Sequence, residues 1–253
     1  TTEAPIVLVS APWAVTSAAG QGAAYTPDAI IDASTTVSLY DIVSNTSIEG
    51  KVATAEVDYD LQERSLQLGG DAAKVVAHIE DGGALSRDYF ARKVVRINLG
   101  FRDMHRSVGK RVFRFADKGK IVGLVGGDQS TAYGNIRAVA EAHSKIGILH
   151  IDSNCDLREQ YQGFNHSNAS VMYNVLRDIE GVERIVGVGV CAFCPQERER
   201  AMSDERVTLF TGQTIWAKHF EGVNWATMCD DIIAERPETV YVSLDIDGLT
   251  IEC

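Results

Sequence analysis

An α/β fold with a mainly parallel sheet is predicted by three segments in which an apolar run stops abruptly in polar residues. Residues 121–125 lead into Gly126-Gly127-Asp128-Gln129-Ser130, residues 148–151 into Asp152-Ser153-Asn154-Cys155-Asp156, and residues 240–244 into Asp245-Ile246-Asp247. Buried parallel strands read as apolar runs closed at their C-terminal edge, the edge where open α/β sheets bind ligands. The second observation is rhythm. From residue 121 onward, strand and helix patterns alternate, which implies a parallel sheet with helices on both faces.

The elements follow in order. Residues 6–13 read as a first strand. After Ala18-Ala19-Gly20-Gln21-Gly22, Pro27 opens a short helix through residue 31, since proline suits a first helical turn. Residues 36–42 read as a second strand, and 45–67 as a polar, irregular surface excursion. Residues 86–117 are mostly helical, with Gly100 and Gly109 as weak points or breaks. That region with its margin to Lys120 holds 11 of the 24 Lys and Arg residues and reads as a solvated helix face. Strands at 121–125, 147–151, 184–190, 207–210 and 239–244 then alternate with helices at 131–143, 170–179, 195–203 and 224–234. No internal repeat or low-complexity linker interrupts the chain, so residues 1–253 are read as one domain.

Composition bounds the function. The chain has 253 residues, 45% hydrophobic and 23% charged, as expected of a globular protein with a sizeable core. A net charge of −11 argues against nucleic acid or an anionic membrane as partner and fits a small cationic ligand. No apolar run is long enough to span a membrane, and the N-terminus lacks the cationic start of a signal peptide. Five cysteines, an odd number widely spread, do not form a disulfide framework, so a reducing, cytoplasmic setting is expected. Cys191 and Cys194 make a lone C-x-x-C without the second pair or nearby histidine that a zinc site needs.

Strand ends that each deliver carboxylates suggest a polyanionic site that wants a cation, because unpaired like charges held together are costly. Taken together, Gly126-Gly127-Asp128-Gln129-Ser130, Asp152-Ser153-Asn154-Cys155-Asp156, Ser243-Leu244-Asp245-Ile246-Asp247-Gly248-Leu249 and the loop around Asn165-His166-Ser167-Asn168 resemble the ureohydrolase family: arginase, agmatinase and formimidoylglutamase. The resemblance implies a three-layer α/β/α sandwich whose strand ends hold two Mn²⁺ ions. They activate a hydroxide that attacks a guanidino or formimino carbon. It also implies a small cationic or amidine substrate and a homo-oligomer. By the same resemblance, Asp152, Asp156, Asp245 and Asp247 are the carboxylate metal ligands.

The family's histidines are replaced by amides. Gln129 and Asn154 stand where the family has histidine ligands, and Asn168 where it has a proton-handling histidine. Gln129 and Asn154 then become substitute ligands, and Asp156, Asn168 and the nearby His166 the candidate catalytic groups. Amide oxygens suit Mg²⁺ or Ca²⁺ better than Mn²⁺, and amides cannot shuttle protons near pH 7. The expected cation site is therefore oxygen-only, with turnover impaired or abolished. Two alternatives are a non-catalytic binding or regulatory subunit and, more distantly, a Mg²⁺-dependent phosphoesterase. Without a cation, some of the four carboxylates should show raised pKa values. His150 reads as a packed, hydrogen-bonded histidine. After Leu249, residues 250–253 replace the family's usual continuation, and the resemblance implies that the C-terminal elements are absent.

Overall fold

The predicted apolar runs form two parallel sheets in the computed structural model, which describes residues 3–17, 20–86 and 88–249. Ala18, Ala19, Arg87 and residues 250–253, which the sequence reading touches, lie outside the described residues. The chain divides into two compact units, 1–138 with 162–168, and 139–161 with 169–253.

In the first unit, β1 (Ile6–Ala11) lies between β4 (Val52–Thr54) and β5 (Ile121–Gly126), parallel to both. Helices α1 (Thr26–Ser34), α2 (Tyr59–Glu80) and α3 (Asp88–Ala116) accompany this sheet, and a two-stranded hairpin of β2 (Tyr40–Asp41) and β3 (Thr46–Ser47) is exposed. The buried positions of α3 include Ile97, Phe101, Met104, Val108 and Val112, the three-and-four spacing of one apolar stripe. Trp13 and Phe101 meet edge to face in the core, their ring centroids 5.6 Å apart.

Three expectations need correction here. The predicted strand at 36–42 shrinks to Tyr40–Asp41, because Ser34, Thr35 and Thr36 bond back to the carbonyls of Ile31, Asp32 and Ala33 and prolong the turn that ends α1. Residues 45–67 are not an irregular excursion, since they contain β4 and the start of α2. Asp58 caps that helix by accepting from Leu61 N at 3.0 Å. Gly100 and Gly109 do not break α3, which runs without interruption from Asp88 to Ala116. A Cβ on Gly100 would stand 2.3 Å from Leu68 Cδ1, and one on Gly109 3.3 Å from Gly134 O, so both allow close packing. Lys93 and Arg96 of α3 pair with Asp71 of α2, so the basic stretch is partly neutralised within the fold.

The second unit holds a four-stranded parallel sheet, in the order β8 (Val207–Thr211), β7 (Val182–Val190), β6 (Ile146–Ile151), β9 (Val240–Leu244). The chain enters it through α4 (Ala132–His143), and α5 (Val171–Asp178), α6 (Pro195–Ser203), α7 (Gly212–Phe220) and α8 (Trp225–Ala234) connect its strands. All the strands and helices predicted from residue 121 onward are present; α7, capped by Thr211, is additional. Among the described residues no helix is long and apolar enough to cross a membrane.

Candidate metal centre

The register of β6 and β9 sets the centre. Ile151 pairs with Leu244, so the next residues, Asp152 and Asp245, leave neighbouring strands at the same level. Asp245 N donates to Ile151 O at 2.9 Å, and Asp152 N to Val188 O at 3.1 Å, carrying the ladder one step past the apolar runs. Beyond Asp245 the chain turns at once: Asp247 N donates to Asp245 Oδ1 at 3.2 Å and Gly248 N to Asp245 O at 3.2 Å. Gly248 lies flush on the backbone of Asp152, where an added Cβ would stand 2.8 Å from its Cα. Only glycine fits that approach.

The loop after β6 is equally constrained. Asp156 has φ 55, a left-handed conformation that aspartate tolerates better than most residues. Its carbonyl accepts from Met172 N at 3.0 Å and Tyr173 N at 3.2 Å, opening α5. Buried Glu197 of α6 accepts from Leu157 N at 3.1 Å and Cys194 N at 2.9 Å, while Arg200 donates to Leu157 O. Glu197 is thus a positioning residue for the Asp156 loop. Its only sign in the sequence is the capping spacing from Cys194.

These segments bring all four predicted aspartates together in two overlapping groups. His150, Asp152 and Asp156 form one, and Asp152, Asp245 and Asp247 the other, with the ligand atoms of each group within 4.8 Å of one another. Asp152 belongs to both. Burial raises the Asp152 carboxyl well above the usual range, with Asp245 and Asp247 adding to the shift and the Asn154 backbone opposing it. Asp156 is also raised well above its ordinary value, by burial and then by Asp152 and Asp245. Asp245 is raised mainly by burial. A cation would relieve this accumulation, and the donor set of carboxylate oxygens plus one imidazole suits a divalent metal.

Two further residues border these groups. Asn154 is tied to two of the aspartates. Its side-chain nitrogen donates to Asp247 Oδ2 at 2.9 Å and its backbone N to Asp152 Oδ1 at 2.7 Å. His150 is packed as expected, but neither ring nitrogen completes a well-formed hydrogen bond. Burial lowers its pKa to about 4, against small opposing effects of the Asn154 backbone and the Asp247 charge. Sequence reasoning missed His150 as a potential ligand, although residues two apart on a strand share a face.

Gln129, His166 and Asn168 are described within the first unit. Gln129 opens the turn Gln129–Thr131, capped by Asp128, whose side chain accepts from Ser130 N at 3.0 Å and Thr16 N at 3.2 Å. Asp128, grouped by sequence with the acidic strand ends, thus serves as a cap, and burial raises its pKa to about 6. Asn168 N donates to Thr16 Oγ1 at 3.1 Å. His166 stands edge-on to His105 and Tyr133, with centroids 4.9 and 5.3 Å away. Cys194 is a free thiol, so the C-x-x-C pair is not a disulfide.

The chain belongs to the arginase family, whose model matches residues 4–253. An N(1)-aminopropylagmatine ureohydrolase from Thermus thermophilus is 33% identical over 147 residues, covering 58% of this chain and 46% of the relative. One of the same description from Synechocystis is 23% identical over 250 residues, covering 97% of this chain and 68% of the relative. The chain therefore spans about half the length of the Thermus protein. A Trypanosoma cruzi formiminoglutamase, solved oxidized with Mn²⁺, superposes with a TM-score of 0.66 at 16% identity, covering 98% of this chain and 71% of that one. The proclavaminate amidino hydrolase of Streptomyces clavuligerus gives 0.64 at 18%, covering 96% and 68%. At such identities the two structures establish the shared fold.

Proposed function

We propose that this chain is a ureohydrolase-type domain whose aspartates bind divalent metal, and whose turnover of linear guanidino or formimino compounds is impaired or abolished by its altered donor set. The observation that carries the reading is the convergence of Asp156, Asp245 and Asp247 on Asp152, with pKa values raised in three of the four. Asp152, Asp156, Asp245 and Asp247 would hold the metal, which when bound supplies Lewis acidity and a nucleophile at neutral pH. Asn154 keeps Asp247 oriented by its hydrogen bond, and Glu197 keeps the Asp156 loop in position. By motif order Gln129 and Asn168 take the places of further family histidines, and neither amide can carry a proton near pH 7. His166 is the nearest titratable substitute in sequence for Asn168.

The amide clamp on Asp247 also favours a second reading, a non-catalytic binding or regulatory subunit, because it uses an atom that cannot ligate metal. Both readings take the chain as one cytoplasmic, homo-oligomeric domain with a small amidine ligand, and Mn²⁺ or weakly bound Mg²⁺ or Ca²⁺ as its cation.

Elemental analysis together with the triple variant Gln129→His, Asn154→His, Asn168→His tests the proposal. The expected result is weak metal retention and little release of urea or formamide from the wild type, with both raised in the variant. Two manganese ions per wild-type chain and brisk turnover would overturn the impairment. A triple variant that gains neither metal nor product release would overturn the assigned cause.

A further inference from the structure

The sequence leads to an oxygen-only cation site, but buried His150 changes the donor set. It is 1% exposed, and it is walled in beside Asp152 and Asp156, which are themselves buried. Its Nε2 stands 3.5 Å from Asp152 Oδ2 and 4.0 Å from Asp156 Oδ2. Both separations exceed the roughly 2.7–3.2 Å of a good hydrogen bond. They suit two donors on one ion instead. With metal–ligand bonds of about 2.1 Å, paired donors stand about 3.0 Å apart at a right angle, about 3.4 Å at the tetrahedral angle and about 4.2 Å when opposed. Asp156 Oδ2 is also buried without a hydrogen-bond partner, and both ring nitrogens of His150 share that condition. An unsatisfied buried polar group is costly, and here two such groups face each other across a gap of ligand-to-ligand size.

We infer that His150, through Nε2, is a nitrogen ligand to the cation held by Asp152 and Asp156. This rests on the reading that the aspartate cluster binds divalent metal, and it specifies which metal. Imidazole strengthens binding of Mn²⁺, Co²⁺ and Zn²⁺ far more than of Mg²⁺ or Ca²⁺. The centre is therefore a mixed nitrogen–oxygen site, and the family histidine absent at Asn154 is compensated two residues upstream of Asp152.

The test uses the full chain with Mn²⁺ as the probe and Mg²⁺ for comparison. Electron spin-echo modulation of bound Mn²⁺ should show coupling to a directly bound histidine nitrogen. That coupling should persist in His166→Gln and vanish in His150→Gln. Titration should show the wild type preferring Mn²⁺ to Mg²⁺ by at least about tenfold. His150→Gln should weaken Mn²⁺ by at least the roughly 10–100-fold typical of losing a group that merely supports a ligand, with Mg²⁺ affinity nearly unchanged. Manganese bound without nitrogen coupling in the wild type overturns the inference and leaves the aspartate site standing. Coupling that survives in a folded His150→Gln overturns it equally. Magnesium bound without manganese overturns the inference alone, and a wild type that binds neither ion sinks both readings. Should His150→Gln fail to fold, the wild-type and His166→Gln spectra decide between the outcomes.

Discussion

The side-chain amide of Asn154 donates to Asp247 Oδ2 at 2.9 Å, while the backbone N–H of the same residue donates to Asp152 Oδ1 at 2.7 Å. One residue thus steadies two carboxylates that would otherwise repel each other. Removing the side-chain bond in Asn154→Ala should cost about 1 kcal/mol, the net worth of a partly exposed hydrogen bond. Asn154→Asp should cost more, because it sets a like charge against Asp247, and Mn²⁺ should reverse most of that loss. Urea unfolding in EDTA and in Mn²⁺ measures both effects. An Asn154→Asp protein as stable as wild type in EDTA would show that the clamp contributes nothing.

Asp152 is shared by both groups of candidate ligands, so its substitution separates stability from binding. Its carboxyl is raised first by burial, so keeping it ionised in the metal-free fold is costly. Asp152→Asn keeps an oxygen for the Asn154 N–H but carries no charge. In EDTA it should be more stable than wild type, by on the order of 1–3 kcal/mol. Divalent metal should raise the melting temperature of the wild type by binding its folded state and leave that of Asp152→Asn unchanged. A variant that melts lower than wild type in EDTA and still responds to Mn²⁺ would contradict both expectations.

The carboxylates were legible in sequence because they end long apolar strands, where side-chain period and position along the chain fix both face and level. Asp152 and Asp245 needed only the register of Ile151 with Leu244 to meet. Their neighbours were harder to read. His150 looked like core because it lies inside the apolar run, although its two-residue spacing from Asp152 put both on one face. Helix α2 was hidden by a polar start and by Gly69-Gly70, whereas its Asp58 cap followed by Leu61, Ser65 and Leu68 carried the helical period. Strand β4 is three residues long, too short for any pattern. Glu197 lies far beyond Asp156 in the chain, and only the fold shows that it holds that loop.

Gly248 offers a way to disturb the centre without altering a ligand. A methyl group there would press on the Asp152 backbone at 2.8 Å, and backbone cannot yield as a flexible side chain does. Gly248→Ala should therefore shift Asp152 relative to Asp245 and Asp247. Overpacking of this kind costs roughly 1–3 kcal/mol. Mn²⁺ affinity should fall by about tenfold or more, since a small misplacement of one ligand weakens the whole set. Calorimetric titration of the folded variant measures the change. Wild-type affinity would mean that the approach of Gly248 to Asp152 is not needed for binding.

One pH-dependent contribution to stability should come from His105 in the first unit. This residue is buried, its Nε2 lies 3.0 Å from Ser130 O, and burial, with a smaller push from His166, lowers its pKa to about 3. The unfolded chain takes up that proton near pH 6.5. A depressed folded pKa therefore gives stability that is complete above about pH 6.5 and lost progressively as pH falls toward 3. At pH 5 the loss from this group is about 2 kcal/mol. Asp128 acts in the opposite sense. Its carboxyl is raised to about 6 by burial, so its contribution is full below about pH 3.8 and is lost as pH rises through 6. Between about pH 6 and 4 the two nearly offset each other, which should flatten the wild-type profile. His105→Gln keeps a donor for Ser130 O and does not titrate, so it should expose the Asp128 effect and gain stability relative to wild type as pH falls. Urea midpoints of both proteins at about pH 7.5 and 4.5, on either side of the unfolded histidine's titration, provide the comparison. A stability difference that stays constant between those two pH values would show that His105 is not held neutral by the fold.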